Sequence, residues 1–360
     1  MMMVVVALMT TINVIAQRIQ TVDDLGNPIS YATVTNANND KFIGTTDLQG
    51  VLADVKGAQK LYITHIAFKP QEVNVSELKN GVITLQESDY DLPEIVVEKK
   101  GYIYVQTYYR LFCMMGDTLG YYRSGITNNI YDLEKKKVSA KYHHFSKAFM
   151  GVMKFMLDMM LGSVINQHSE LPTLSKPSAT TVALEGGIPK ELSLVEESPN
   201  RQRIDYNGKP IGYMVDDETN HQRRISIDNA EFSKLKIEEH GSKKQKKRFE
   251  ERKSKTSNKE SSRYIVYRMN EGTCNVEDFV SLQVHDDFDQ YDPKSNKNDH
   301  IRMWLEIFVT DRAYVTKEEA KERKSSRIPM TFESLQQFER QHSIAPIPAN
   351  TLKALKELVE

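Results

Sequence analysis

The sequence predicts a mainly β protein in two parts, a small all-β domain followed by a larger α+β domain. Three observations predict it. Turn residues alternate with short β-prone runs as far as about residue 100. Longer β-prone runs resume at Tyr102. Asn207-Gly208, flanked by residues 201–206 and 211–215, is the strongest two-residue hairpin signal in the chain. With 360 residues, 39% of them hydrophobic, the chain has room for two separate cores. A net charge of −1 provides no overall field to recruit nucleic acid or anionic lipid, so any such attraction must be local.

Residues 1–16 carry no charge. An apolar block, a polar break at Thr10, Thr11 and Asn13, and the small residue Ala16 read as a secretory signal peptide cleaved after Ala16. The missing positive charge at its start departs from that pattern. A membrane span needs about 20 apolar residues, and this stretch is shorter and interrupted. The expected mature chain is therefore periplasmic or outer-membrane-associated and has no transmembrane segment.

The first domain is expected over residues 17–100. Asp24-Leu25-Gly26-Asn27-Pro28 is a turn, because Gly supplies positive φ and Pro fixes its own. Strands are expected at residues 29–34, 42–46, 61–66, 72–75, 82–85 and 95–97, with a turn at 36–40 and another closing at Gly50. His65 falls in a strand, where a lone histidine packs more often than it binds.

Four blocks, in order, carry a resemblance. They are Gly26, Pro28, Ile29, Ala32 and Val34; Gly44, Thr45, Thr46, Asp47 and Gly50; Leu61, Ile63, Thr64, Ala67 and Phe68; and Ile83, Leu85, Leu92, Glu94, Ile95, Val96 and Val97. Together they resemble the carboxypeptidase-regulatory-like domain, an Ig/transthyretin-like β-sandwich found at the mature start of bacterial envelope proteins. Ala67 stands where that family has Gly, and the second block is one residue short. The resemblance implies a structural or docking module with no catalytic residues to carry over.

The second domain is expected over residues 101–360 as an antiparallel sheet packed on a Met-rich helix. Strands are read at 102–111, 117–125, 128–133, 138–143, 201–206, 211–215, 224–227, 263–269, 279–285 and 301–310. Phe145, Phe149, Val152, Met153, Met156, Met159 and Met160 recur at helical spacing, predicting a helix from Phe145 to about Ile165 with Ser146 as its cap. Helices are also expected at 331–339 and 351–358. Tyr121–Gly125 and Glu306–Arg312 resemble, more weakly, a β-rich C-terminal part of uncharacterised envelope proteins. The remaining length is too short for the plug and long barrel of a receptor.

Charge is patterned locally. Between Glu231 and Arg263 twelve Lys/Arg face six Asp/Glu, and between Glu271 and His300 eight acidic residues face two lysines. A solvated basic loop or frayed helix is expected at about 234–263, and Lys243, Lys244, Lys246, Lys247 and Arg248 are the candidates for contact with an anionic lipid or polysaccharide surface, or with the neighbouring acidic loop. The acidic stretch lacks the Gly and Glu of an EF-hand and reads as a hairpin loop. His143 and His144, adjacent on a strand, point to opposite faces and do not share an ion with each other. Cys113 and Cys274 are the one pair available for a disulfide in an oxidising compartment.

No nucleophile elbow, zinc-protease helix, P-loop or dinucleotide fingerprint occurs. The sequence therefore predicts a non-enzymatic envelope protein without cofactor, its sandwich docking on another envelope protein or glycan. The rival is a hydrolase or hydrolase accessory acting on envelope polymers, built on carboxylates such as Asp205, Asp216, Glu277 and Asp286. Export is checked by N-terminal sequencing of envelope-purified protein. A start near Gln17 is expected, and an intact Met1 contradicts cleavage.

Overall fold

The computed structural model describes residues 18–88, 100–135, 137–148, 192–253, 256–269, 278–292, 296–326, 330–347 and 349–359. The expected signal peptide, the strand at 95–97 and residues 149–165 of the expected Met-rich helix lie outside them.

Strands β1 (Ile19–Val22), β2 (Thr33–Asn36), β3 (Phe42–Thr45), β4 (Val51–Leu52), β5 (Lys60–His65), β6 (Phe68–Asn74) and β7 (Val82–Thr84) build the N-terminal unit. They form two small sheets, ordered β4-β1-β7 and β3-β2-β5-β6, with β1 and β7 parallel and the other pairs antiparallel. Ile19, Val34, Leu61, Ile63, Phe68, Ile83 and Leu85 fill one shared core. Alternation puts these side chains inward, as β5 shows with Leu61, Ile63 and His65 buried between half-exposed neighbours. Gly50 sits at φ +69°, and a Cβ there would approach within 2.4 Å of the Thr21 carbonyl oxygen, so only glycine fits the turn.

The expected strand at residues 29–34 begins only at Thr33. Pro28 makes an isolated bridge to Val22, and Tyr31 adopts φ +66°, which a strand does not permit. Strands β1 and β4 went unread because they are short and lack an alternating run.

The second part is one ten-stranded sheet. Its strands are β8 (Tyr102–Met115), β9 (Thr118–Asp132), β10 (Lys137–Ala148), β11 (Leu192–Ser198), β12 (Arg201–Tyr206), β13 (Lys209–Asp217), β14 (Gln222–Asp228), β15 (Thr256–Arg268), β16 (Phe279–Asp292) and β17 (Lys297–Val315). Every neighbouring pair is antiparallel, in the order β10-β9-β8-β17-β16-β15-β14-β13-β12-β11. Asn207 at φ 50° and Gly208 at φ 75° make the two-residue turn between β12 and β13 that the dipeptide predicts.

Three expectations are corrected here. Residues 117–125 and 128–133 belong to one strand, β9, because the intervening Ile126 and Thr127 continue the ladder with β8. Phe145 and Ser146 are strand residues of β10, paired with Ser124 and Arg123, so neither starts nor caps a helix. At 234–263 the loop gives way to its helical alternative, with α1 (Asn229–His240), α2 (Lys243–Lys253) and then the first half of β15. Asp228 caps α1 by accepting from the Glu231 amide, a signal that a purely charge-based reading passes over.

The acidic hairpin loop is likewise mostly strand, with Asp286, Asp287, Asp289 and Asp292 on β16. At the C-terminus, α3 (Lys317–Ser325), α4 (Phe332–Gln341) and α5 (Ala349–Val359) follow β17. The last two match the helices expected at 331–339 and 351–358. The first was missed, although Thr316 and Glu319 form a capping box legible as Thr-x-x-Glu.

Cross-strand register assigns Arg110, Arg224, Tyr264, Gln283, Trp304 and Glu306 to one face of the sheet. The N-terminal unit and α4 both pack on it. Gln283 clamps the unit's backbone, donating to the Tyr31 carbonyl at 3.0 Å and accepting from the Ile66 amide at 3.2 Å. His65 packs edge-on against Tyr264, its Nε2 3.2 Å from the Ser30 carbonyl and its Nδ1 accepting from the Ala67 amide. Burial first, and Arg224 nearby, push its imidazole down to about 3, so it is a neutral packing residue.

Arg224, itself buried, joins Asp23 at 2.8 Å and Glu87 at 3.1 Å from the N-terminal unit to Asp217 at 3.4 Å on its own sheet. Burial, and a hydrogen bond with Asp217, push the Glu87 carboxyl from its ordinary 4.5 up to about 8. The folded state therefore keeps a proton that the unfolded chain has released between those values, and this contribution to stability falls as pH rises through that window. His65 acts in the opposite sense, its contribution being lost as pH falls below about 6.5. Urea midpoints of Glu87→Gln relative to wild type isolate the first effect. The variant is expected to gain on the wild type steadily from about pH 4.5 to about pH 8, and a constant difference contradicts the assignment.

Candidate ligand-binding cavity

Between the N-terminal unit, the sheet and the C-terminal segment lies a cavity of about 540 Å³, within the range of small-molecule sites. Its floor follows from strand alternation. Arg302, Trp304, Glu306 and Phe308 project from β17 at every second residue, beside Arg110, Phe112 and Met114 of β8. Thr33 and Thr35 of β2, Phe42, and Thr64 and His65 of β5 form the opposite wall. The connection between α4 and α5, through Ile344, Ala345 and Pro346, closes a third side.

Two buried arginines divide the polar contacts of this cavity. Arg110 bonds Glu306 through Nε, Glu339 at 3.2 Å and the Ala345 carbonyl at 2.8 Å through Nη1. Glu339 also accepts from Tyr108 at 2.7 Å, and Tyr108 packs on Phe338, so the same network fixes α4 to β8. Burial opposes the charge on Arg110, but Glu306 and Glu339 outweigh it and hold the guanidinium above its ordinary range.

Arg302 is compensated far less. It lies over the Phe42 ring at 4.3 Å, a cation–π contact across the two layers. Its Nη2 donates to the Gly116 carbonyl at 2.5 Å and to Asp117, an exposed residue of the β8–β9 turn, at 3.3 Å. Its Nε has no hydrogen-bond partner among the described residues. Burial pulls this guanidinium below its ordinary value, against the attraction of Asp117 and then Asp287. Trp304 stacks on His285 with ring centroids 5.3 Å apart and meets Phe42 edge-on at 5.5 Å, so the aromatic wall is braced from both layers.

The residues singled out from sequence lie elsewhere. Lys243, Lys244, Lys246, Lys247 and Arg248 share α2. Lys246 donates to the Glu238 carbonyl at 2.6 Å and Lys247 lies 3.8 Å from Glu251, so part of the positive run is engaged within the helical pair. Cys113 is a free, buried thiol that burial pushes up to about 11, and Cys274 lies outside the described residues.

Asp205 pairs with Arg203 at 2.7 Å, Asp216 with Arg223 at 2.6 Å, and Asp286 accepts from Ser261 at 2.6 Å. None of the three lines the cavity, and Glu277 lies outside the described residues. His143 and His144 occupy successive positions of β10, and His168 lies outside. Among the described residues no group of three His, Cys, Asp or Glu side chains could hold a metal ion.

Sequence reasoning missed the cavity residues, although a signal was present. Arg302-x-Trp304-x-Glu306-x-Phe308 and Arg110-x-Phe112-x-Met114 each place charge among large apolar side chains on one strand face. A surface face would carry more charge and fewer aromatic residues, and an ordinary core face no arginine.

In comparison with known proteins, no family model and no curated sequence matches the chain. The residues around the cavity therefore define its class by chemistry alone. Arg110→Met leaves Glu306 and Glu339 facing each other without their cation, and is expected to cost about 3 kcal/mol in urea unfolding. A loss below about 1 kcal/mol shows that the network does not hold α4.

Proposed function

We propose that the chain is a non-catalytic binding protein of the bacterial envelope whose ligand occupies the cavity between the N-terminal unit and the sheet. The observation that carries this reading is the cavity's composition, in which the aromatic side chains Phe42, Phe112, Trp304 and Phe308 stand among polar and charged ones such as Thr33, Arg110 and Arg302. Of the carboxylates Glu306, Asp117 and Asp40 that border it, the first two are each paired with an arginine, which suits holding a molecule better than transferring protons. Asp205, Asp216 and Asp286 stand apart from it, which weakens the hydrolase reading.

The envelope location rests on the apolar start of the chain and on the resemblance of residues 17–100 to the carboxypeptidase-regulatory-like sandwich. Supporting that resemblance, its turn glycines Gly26 and Gly50 take positive φ, and its positions Ile29, Val34, Ile63 and Ile83 share one core. Among the described residues no helix is long and apolar enough to cross a membrane. In this reading the sandwich serves as a wall of the ligand site, and contact with an envelope protein or glycan uses its remaining surface. Peripheral contact of α2 with anionic lipid is a separate matter of surface charge.

N-phenylnaphthylamine, a neutral fluorophore that brightens in apolar surroundings, tests the cavity. Saturable enhancement is expected for the wild type and is lost in Thr33→Trp, which fills the cavity from β2, provided that melting shows the variant folded. Absence of saturable binding to the wild type, or full binding to the folded variant, overturns the reading.

A further inference from the structure

We propose that the cavity's ligand carries a single negative charge, a carboxylate on an apolar body, and that Asp117 competes with that carboxylate for Arg302. This rests on the binding reading above and goes beyond it by naming the ligand's chemistry.

Two cations converge on Asp117 from different layers. Arg302 reaches it from β17 at 3.3 Å, and Lys41 reaches it from the N-terminal unit at 3.7 Å. All three residues border the cavity. The ion pairs therefore close across its mouth, joining the turn before β3 to the turn between β8 and β9. Their burial is uneven. Arg302 is 4% exposed, whereas the Lys41 and Asp117 side chains are 66% and 69% exposed. An exposed carboxylate on a tight turn is a weak partner for a buried guanidinium, because solvent screens it and the turn holds it outside.

Other carboxylates lie nearby. Asp287, across the register from Arg302, also attracts it and lies 3.5 Å from His300, and Asp40 borders the same cavity. Glu306 belongs to Arg110, which has a second carboxylate in Glu339. Arg302 thus has a buried Nε without a hydrogen-bond partner among the described residues, a screened ion pair with Asp117 and a cross-strand attraction to Asp287, on a wall that also presents Trp304, Phe42 and Phe112. A carboxylate entering with an apolar body buries its charge against Arg302 at shorter range than Asp117 does, and releases Asp117 to water. Planar guanidinium–carboxylate pairing favours this occupant over a neutral one.

The pair of probes that decides the matter is dansyl-aminoundecanoic acid and its methyl ester, titrated into the full chain by fluorescence. The acid is expected to bind about tenfold more tightly than the ester. Asp117→Asn, which removes the competing carboxylate, is expected to tighten the acid several-fold and leave the ester unchanged. Lys41→Gln, an exposed change without consequence for folding, is expected to weaken the acid alone, and Arg302→Gln to abolish the preference. Equal binding of acid and ester, or an acid affinity that Asp117→Asn leaves unchanged, overturns the proposal while leaving the cavity reading intact. Failure of both probes and of N-phenylnaphthylamine overturns the cavity reading itself.

Discussion

Arg224 sits buried where the two halves of the molecule meet, and the position of everything else on that face follows from it. Its partners Asp23 and Glu87 come from the two ends of the N-terminal unit, and Asp217 comes from the end of the neighbouring strand β13. One guanidinium among three carboxylates is an arrangement that water would dissolve and that desolvation penalises. Burial and a hydrogen bond with Asp217 favour the protonated form of Glu87, which eases the crowding of carboxylates around one cation. Such a cluster tolerates little displacement. A shift of the N-terminal unit along the sheet by one strand spacing, about 4.8 Å, would bury unpaired charge on both sides. The apolar contacts around it, His65 on Tyr264 and Phe68 beneath Arg224, supply area without direction. The ion cluster and the Gln283 clamp supply the direction.

From that fixed placement the cavity follows without further devices. The N-terminal unit covers one stretch of the sheet face and α4 covers another, through Tyr108, Phe338 and Glu339. Over Phe112, Trp304 and Arg302 the cover is partial, with Phe42 reaching Arg302 and Trp304 and the connection between α4 and α5 roofing part of the remainder. Two layers tied rigidly at separate points leave a defined space between them. Its polar groups are there because β8 and β17 carry arginines in alternation with large apolar residues.

Much of the fold was legible and the site was not, for reasons that particular residues make plain. Hairpins announce themselves locally, as Asn207-Gly208 does, and the two last helices declare their amphipathic faces. Short strands such as β1 and β4 do not, because two to four residues carry no period. Phe145 matched a helical spacing continued by the methionines beyond it, yet its partner across the sheet is Ser124, and ladder pairing outweighed the local pattern. The cavity demanded more again. Phe42 and Trp304 are far apart in sequence, and their meeting depends on how the N-terminal unit seats on the sheet. Charge counting led instead to α2, where the density of lysine is highest and the side chains are solvated. The informative charges were Arg110 and Arg302, isolated in apolar strands where the cost of burying them demands a partner.

The central claim is that the N-terminal unit and the ten-stranded sheet form one cooperative body enclosing the site. Differential scanning calorimetry of the full chain addresses it most directly. The account predicts a single transition whose calorimetric enthalpy equals its van't Hoff enthalpy, because neither half can leave without stranding Arg224 and Gln283. Two separable transitions, or a calorimetric enthalpy well above the van't Hoff value, would contradict it.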